Sequence, residues 1–243
     1  LPRRFFERPV VELAEALIGQ VLVRRRGSGR RAMLLAGRIV ETEAYGGQGV
    51  DPSAHSFRGP TPRCAVMFGP AGHAYVYSTH QGRCCLNVTA EGDDRGKAVL
   101  LRAIEPLRGE PAMRALRLAG LPRGPTRERL LSGAARELGC GPARLCACLA
   151  VDRALDGLDL TDARSTLFVA AGDNSPFDSA TPRAVVWGPR VGLNPKSASC
   201  GWLWRARLLA PGARRRTAEG RGTAGALSSR PRPRACPDCE SHA

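Results

Sequence analysis

Two glutamates, three tyrosines and a histidine are the residues of this chain best suited to chemistry. Tyr45, Tyr75 and Tyr77 are its only tyrosines, and they fall in one 33-residue window that also holds His55 and His73 and opens just after Glu41 and Glu43. Side chains alternate along an extended strand, so Glu41, Glu43 and Tyr45 would share one face, and Tyr75 and Tyr77 another. If the two faces line one cleft, a carboxylate sits beside aromatic walls. Such walls stack a flat heterocycle and favour a cationic one through the ring quadrupole. The carboxylate can take a proton from water as a general base, and His55 and Asn87 can hydrogen-bond to the edge of the ring. Each residue also fits a plainer role: a strand glutamate in an ion pair, Tyr-x-Tyr as cross-strand packing, a loop histidine on the surface, Arg102 paired with a carboxylate. Alternation alone does not separate Glu41 from Glu43.

The elements that must position these residues follow from periodicity. Apolar residues at Val10, Leu13, Ala14, Leu17 and Ile18 predict an amphipathic helix over 9–18, stopped by Gly19. Residues 20–24 and 32–45 read as two strands around a Gly/Arg turn, an antiparallel pair. Residues 46–63 are rich in Gly, Pro and Ser and read as a long loop, a length that usually carries function. Short strands follow at 74–77 and 86–89 with a hairpin-like turn over 78–83. The apolar strand 98–104 is ended by Glu105-Pro106. Helices are expected over 111–118, 126–138 and 142–149, with Pro142 as a first-turn proline. Residues 184–187 and 190–193 read as late strands.

Composition bounds the rest. Hydrophobic residues make up 43% of the 243, enough for a buried core. No apolar run reaches the ~18 residues needed to span a bilayer, and the basic start lacks the apolar stretch of a signal peptide, so no membrane partner is expected. The net charge is +15, and 35 of the 37 basic residues are Arg. Residues 205–243 contribute nine Arg against Glu219, Asp238 and Glu240, so the body is basic without them. That balance fits a polyanion partner, nucleic acid above all, or simply an Arg-rich codon usage. Nine irregularly spaced cysteines include one CxxC, Cys236 to Cys239, with no second ligand pair. Reduced thiols in a cytosolic protein are expected, with no metal. The domain is expected to span 1–204, with 205–243 a basic low-complexity tail, disordered over 211–235.

Taken in order, Gly37-Arg-Ile-Val-Glu-Thr-Glu-Ala-Tyr45, Ala54-His-Ser56, Thr61-Pro-Arg63, Met67-Phe68, Tyr75-Val-Tyr77, Leu86-Asn87, residues 99–106, Gly141-Pro142 and Arg190-Val-Gly192 resemble the methylpurine (alkyladenine) DNA glycosylases over roughly residues 1–193. The resemblance implies a mixed α/β (α+β) single domain around a curved antiparallel sheet surrounded by helices. It implies a monofunctional base-excision-repair enzyme that flips alkylated purines (3-methyladenine, 7-methylguanine, hypoxanthine as a further candidate) out of double-stranded DNA and hydrolyses the N-glycosidic bond.

By the same resemblance, Glu43 activates the water and Arg102 helps place that water or a phosphate. Tyr45 and Tyr77 sandwich the base, His55 bonds to its edge, Asn87 rejects normal guanine by a clash, and Tyr75 supports the pocket. His80 stands where the family carries the side chain that wedges into the DNA. No cofactor is implied. A monomer is expected, in the cytoplasm with the nucleoid in a bacterium or in the nucleus of a eukaryote. Only Lys97 and Lys196 are lysines, and neither falls in the tyrosine cluster, which speaks for hydrolysis over a Schiff-base mechanism. Cys64 replaces the family's usual Asn, the hairpin lacks Tyr-Gly-Met, and no closing basic–aromatic strand is recognisable after Leu193 beyond Trp202-Leu-Trp204. The alternatives are a lesion-binding homologue that no longer cuts and an unrelated basic nucleic-acid-binding module.

Overall fold

The longest strand organises the molecule. In the computed structural model, which describes residues 1–27, 32–79, 81–133, 137–172 and 184–209, β2 (Met33–Tyr45) has β5 (Ala98–Arg108) along one side. Its other side is shared. Its first half pairs with β1 (Val21–Arg26), while Glu41 to Glu43 pair with β8 (Arg205–Leu208). A hairpin of β3 (Ala74–Ser78) and β4 (Cys84–Thr89) extends the sheet beyond β5, β6 (Leu167–Ala170) flanks β1, and β7 (Val185–Gly188) flanks β8. All of these pairings are antiparallel. Register shifts between β2 and β5 near Ala36, Ile39 and Glu41 bend the sheet into a curled half-barrel. Gly37 permits the closeness of this pair, since a Cβ there would lie 2.6 Å from Ile104 Cδ1.

Four helices cover the sheet among the described residues: α1 (Val10–Ala16), α2 (Glu110–Ala119), α3 (Pro125–Leu131) and α4 (Pro142–Leu149). α1 turns Val10, Leu13 and Ala14 inward, as its apolar period requires. α4 buries Leu145, Cys146, Cys148 and Leu149 and packs on β4, β5 and α2. Its proline occupies the first turn, where a missing N–H is harmless. This is the expected single-domain α+β arrangement.

Several boundaries differ from the sequence reading. β5 continues through Pro106 to Arg108, because β2 still pairs with it there. α3 stops at Leu131, ahead of Gly133 at φ 103°; residues 134–136 lie outside the described residues. Residues 190–193 form no strand. Gly192 takes φ 78°, and the Arg190 and Val191 polar groups are turned into the domain instead of a ladder. β6, four residues long, has no counterpart in the sequence reading. The sheet runs past Trp204: in β8, Ala206 and Leu208 are buried and alternate with the arginines. That alternation was hidden in an Arg-rich context. The region over 211–235 expected to be disordered lies outside the described residues.

Candidate active site

Alternation along β2 puts Glu41 and Glu43 on one face. Thr42, between them, faces the other way and donates its hydroxyl to the Ala14 carbonyl at 2.7 Å. From β5, Arg102 reaches both acids, with Nε 2.9 Å from Glu41 Oε1 and a terminal nitrogen 3.2 Å from Glu43 Oε2. Beyond this the glutamates differ. Glu41 is partly open and also pairs with Arg205 at 3.3 Å. Glu43 is wholly buried; the Val191 backbone N–H donates to its Oε1 at 2.7 Å and the Tyr45 hydroxyl to its Oε2 at 3.1 Å. Burial pushes the Glu43 carboxyl above the usual carboxylate range, against the lowering pull of Arg102, the Val191 N–H and the Tyr45 hydroxyl. A carboxylate raised in this way is a stronger proton acceptor. Burial and then the Glu43 charge push the Tyr45 phenol upward, so it stays a protonated donor.

In front of these groups lies a cleft of about 590 Å³, lined among others by Tyr45, His55, Tyr77, Asn87 and Arg102. Glu43 stands directly behind that lining, bonded to the three groups of the wall named above. His55 stands edge-on to Tyr77, ring centroids 4.6 Å apart, and its Nδ1 is 2.8 Å from the Tyr75 hydroxyl. Burial against these rings, then the Arg63 charge, lowers the His55 pKa to about 4, so the ring is neutral at pH 7 although part of it is open to the cleft. Tyr75 is buried behind the wall, packed in a small cluster with Cys64, Met67 and Ala98. Cys64 at this position fills apolar space, with its sulfur 3.1 Å from the Thr61 hydroxyl. Asn87 donates from Nδ2 to the Tyr75 carbonyl at 3.1 Å, which fixes the plane of its amide at the cleft.

The sequence reading missed the pair that braces this wall. Asp51, in the loop after β2, and Arg190 form a two-pronged ion pair (2.5 and 3.0 Å) with both side chains fully excluded from solvent. Asp51 also accepts from the Gly46 and Ser53 N–H groups. Arg190 donates to the Ala44 carbonyl, between Glu43 and Tyr45. Its guanidinium lies 4.6 Å from the Tyr45 ring centroid, 5.8 Å from Trp202 and 5.5 Å from Trp204. Arg190 thus holds the Tyr45 ring, and the next residue supplies the N–H to Glu43. The available signals were Arg190 within a family motif and an acid ahead of Pro52 in a long loop.

The cleft joins Tyr45, Tyr77, His55, Asn87 and Arg102 in one place, with Glu43 at its back. Most of the chain also matches a known family: residues 4–209 fit the model of methylpurine-DNA glycosylase (MPG). The chain belongs to the methylpurine-DNA glycosylase family. It is 40% identical over 204 residues to a protein of Burkholderia cenocepacia (strain HI2424), covering 84% of this chain and 86% of that one. Against a Methanocella arvoryzae protein it is 38% identical over 205 residues, 84% of this chain and 90% of that one. Both carry the name "Putative 3-methyladenine DNA glycosylase". Mouse DNA-3-methyladenine glycosylase is 44% identical over 190 residues, 78% of this chain and 53% of the mouse protein. Membership removes the unrelated nucleic-acid-binding module as a reading and makes DNA the partner.

Lys196, expected to lie apart from the tyrosine cluster, instead lines the cleft from the segment after Gly192. It lies 151 residues after Tyr45 in the chain and is brought there only by the inward turn of residues 190–199. His80 lies outside the described residues. Among the described residues the cysteines are free thiols, no cluster of His, Cys, Asp and Glu could hold a metal, and no helix is long and apolar enough to cross a membrane.

Proposed function

We propose that this chain excises alkylated purines from double-stranded DNA by simple hydrolysis. The observation that carries the reading is the buried Glu43 carboxylate, bonded to Arg102, Tyr45 and the Val191 N–H at the back of an aromatic cleft. A flipped base is stacked between Tyr45 and Tyr77, with neutral His55 and Asn87 at its edge. Water enters beside Arg102; its oxygen bonds to the anomeric carbon as the N-glycosidic bond breaks, and Glu43 takes the proton. Alkylated adenine is already cationic, so the electrons of the broken bond neutralise it and it leaves as a neutral base. Normal purines lack that charge, and Asn87 crowds the exocyclic amine of guanine. 3-Methyladenine and 7-methylguanine are the proposed substrates, hypoxanthine a further one, and His80 in the β3–β4 turn is the proposed wedge.

The test is release of methylated bases from alkylated duplex DNA by purified protein. Wild type should release them, and Glu43→Gln should abolish release while DNA binding persists, because the amide cannot accept the proton. Binding without release by the wild type would leave only the lesion-binding alternative. The rim position of Lys196 adds one arm. Borohydride should trap no covalent adduct with abasic DNA; a trapped adduct lost in Lys196→Ala would replace the hydrolytic mechanism.

A further inference from the structure

A second cleft, of about 680 Å³, lies on the other side of the α4 N-terminus. Four arginines line it: Arg83 just before β4, Arg117 of α2, Arg123 in the α2–α3 loop and Arg144 in the first turn of α4. Asp152 is the one carboxylate of its lining. Among the described residues, none of the four arginines forms an ion pair within 4 Å. Arg117 is 5% exposed, and its guanidinium bonds to the carbonyls of Leu138 (2.9 Å) and Glu137 (3.5 Å). Burial, then repulsion from Arg144 and Arg83, lowers its pKa. Four cations thus meet at one concave surface that offers a single carboxylate, Asp152, an excess that an incoming anion relieves.

The position of this cleft decides which anion. It shares two elements with the lesion cleft. The β3–β4 hairpin contributes Tyr77 and Asn87 to the first cleft and Gly82, Arg83 and Cys84 to the second. Pro142 of α4 lines the first, while Ala143 and Arg144 line the second. A duplex that delivers a base to the first cleft therefore carries its backbone past the second, where the α4 N-terminus adds its partial positive charge. Arginine forks match phosphate oxygens in geometry as well as charge.

We propose that this arginine-lined cleft binds backbone phosphates of the DNA flanking the lesion, anchoring the duplex while the base is held elsewhere. The proposal rests on the reading of the first cleft as the lesion pocket. It assigns the grip on DNA to a surface separate from the chemistry.

The test is equilibrium binding of one duplex carrying a stable abasic analogue, across a salt series, for wild type, Arg123→Glu/Arg144→Glu and the milder Arg123→Gln. A control, Arg164→Glu, changes an arginine that is 92% exposed and paired with Asp162. Each phosphate contact adds about 0.9 to the slope of log affinity against log salt. The double variant should lose about 1–2 from that slope and bind about tenfold or more weakly at low salt, Arg123→Gln should fall between, and the control should match wild type. Single-turnover base release at saturating enzyme should not change in any of them. An unchanged slope in the double variant, with a melting curve like wild type, overturns the proposal, as does an equal drop in the control. A slope that falls as expected in a protein whose wild type releases no base overturns the excision reading and leaves the phosphate site standing.

Discussion

Asp51→Asn removes the charge facing Arg190 and keeps the volume. Both side chains are fully excluded from solvent, so the guanidinium would be left with the Ala44 and Ser199 carbonyls and three aromatic faces. Breaking a buried pair from one side costs about 3–5 kcal/mol, because the remaining charge is stranded. In a domain of this size each kcal/mol lowers Tm by about 2–4 °C, so the expected fall is roughly 6–20 °C. Urea unfolding should show the loss as a lower midpoint at an unchanged slope. The pH dependence supplies a second measure. Burial alone would raise the Asp51 pKa, but the hydrogen bonds and charge of Arg190 hold it below the ordinary value. A depressed folded pKa gives stability that is fully present above the unfolded pKa, near pH 4, and lost as pH falls through the folded one. The gap between wild type and Asp51→Asn should therefore narrow on acidification. A loss below about 1 kcal/mol at pH 7, the size of a surface pair, would mean that water reaches the pair and that Arg190 does not brace Tyr45.

Other outcomes follow from the same geometry. Asn87→Ser should admit normal guanine at the cleft edge, so release of guanine from undamaged DNA should rise; unchanged selectivity removes Asn87 from that role. His55, held neutral by burial and Arg63, should titrate below pH 5 by NMR, and its depressed pKa should destabilise the fold progressively as pH falls from about 6.5 to 4; a midpoint near 6.5 would show an open, unpacked ring. Ending the chain after residue 209 should retain base release, whereas ending it after Trp204 removes β8 and should lower both Tm and release. Equal behaviour of the two truncations would show that β8 is dispensable.

What the sequence revealed was what repeats locally. The period of α1 and the alternation of β2 placed their side chains correctly, and the β3–β4 hairpin followed from two short strands around the turn read over 78–83. The polar pairs across the fold left no such trace. Asp51 and Arg190 are 139 positions apart, and nothing in the spacing of either announces a buried partner. Arg190-Val-Gly192 drew attention as a motif, but its apolar valine read as strand. In fact it is the valine N–H, not its side chain, that matters to Glu43. Lys196 joined the cleft for the same reason, through a chain reversal that no periodicity encodes. β8 was lost in composition, since two inward residues among arginines look like the low-complexity segment that follows.

The change of partner along β2 explains why two carboxylates can sit two residues apart on one face. Side by side on a strand, Glu41 and Glu43 repel, and burial of Glu43 makes its charge costlier still. The neighbouring strands answer from both sides. β5 places Arg102 between the two acids, and β8, which replaces β1 beside Glu41–Glu43, brings Arg205 to Glu41. Had β1 continued along β2 in the same register, Ile18 and Ala16, rather than arginines, would have lain opposite Glu41 and Glu43. With Glu41 shared between two arginines, Arg102 can neutralise part of the Glu43 charge without holding it so tightly that it ceases to accept a proton. The raised Glu43 pKa is the residue of that balance: burial still outweighs the arginine, the backbone N–H and the tyrosine together. The seam in the sheet and the basicity of the candidate base are therefore one feature, set by where β8 joins β2.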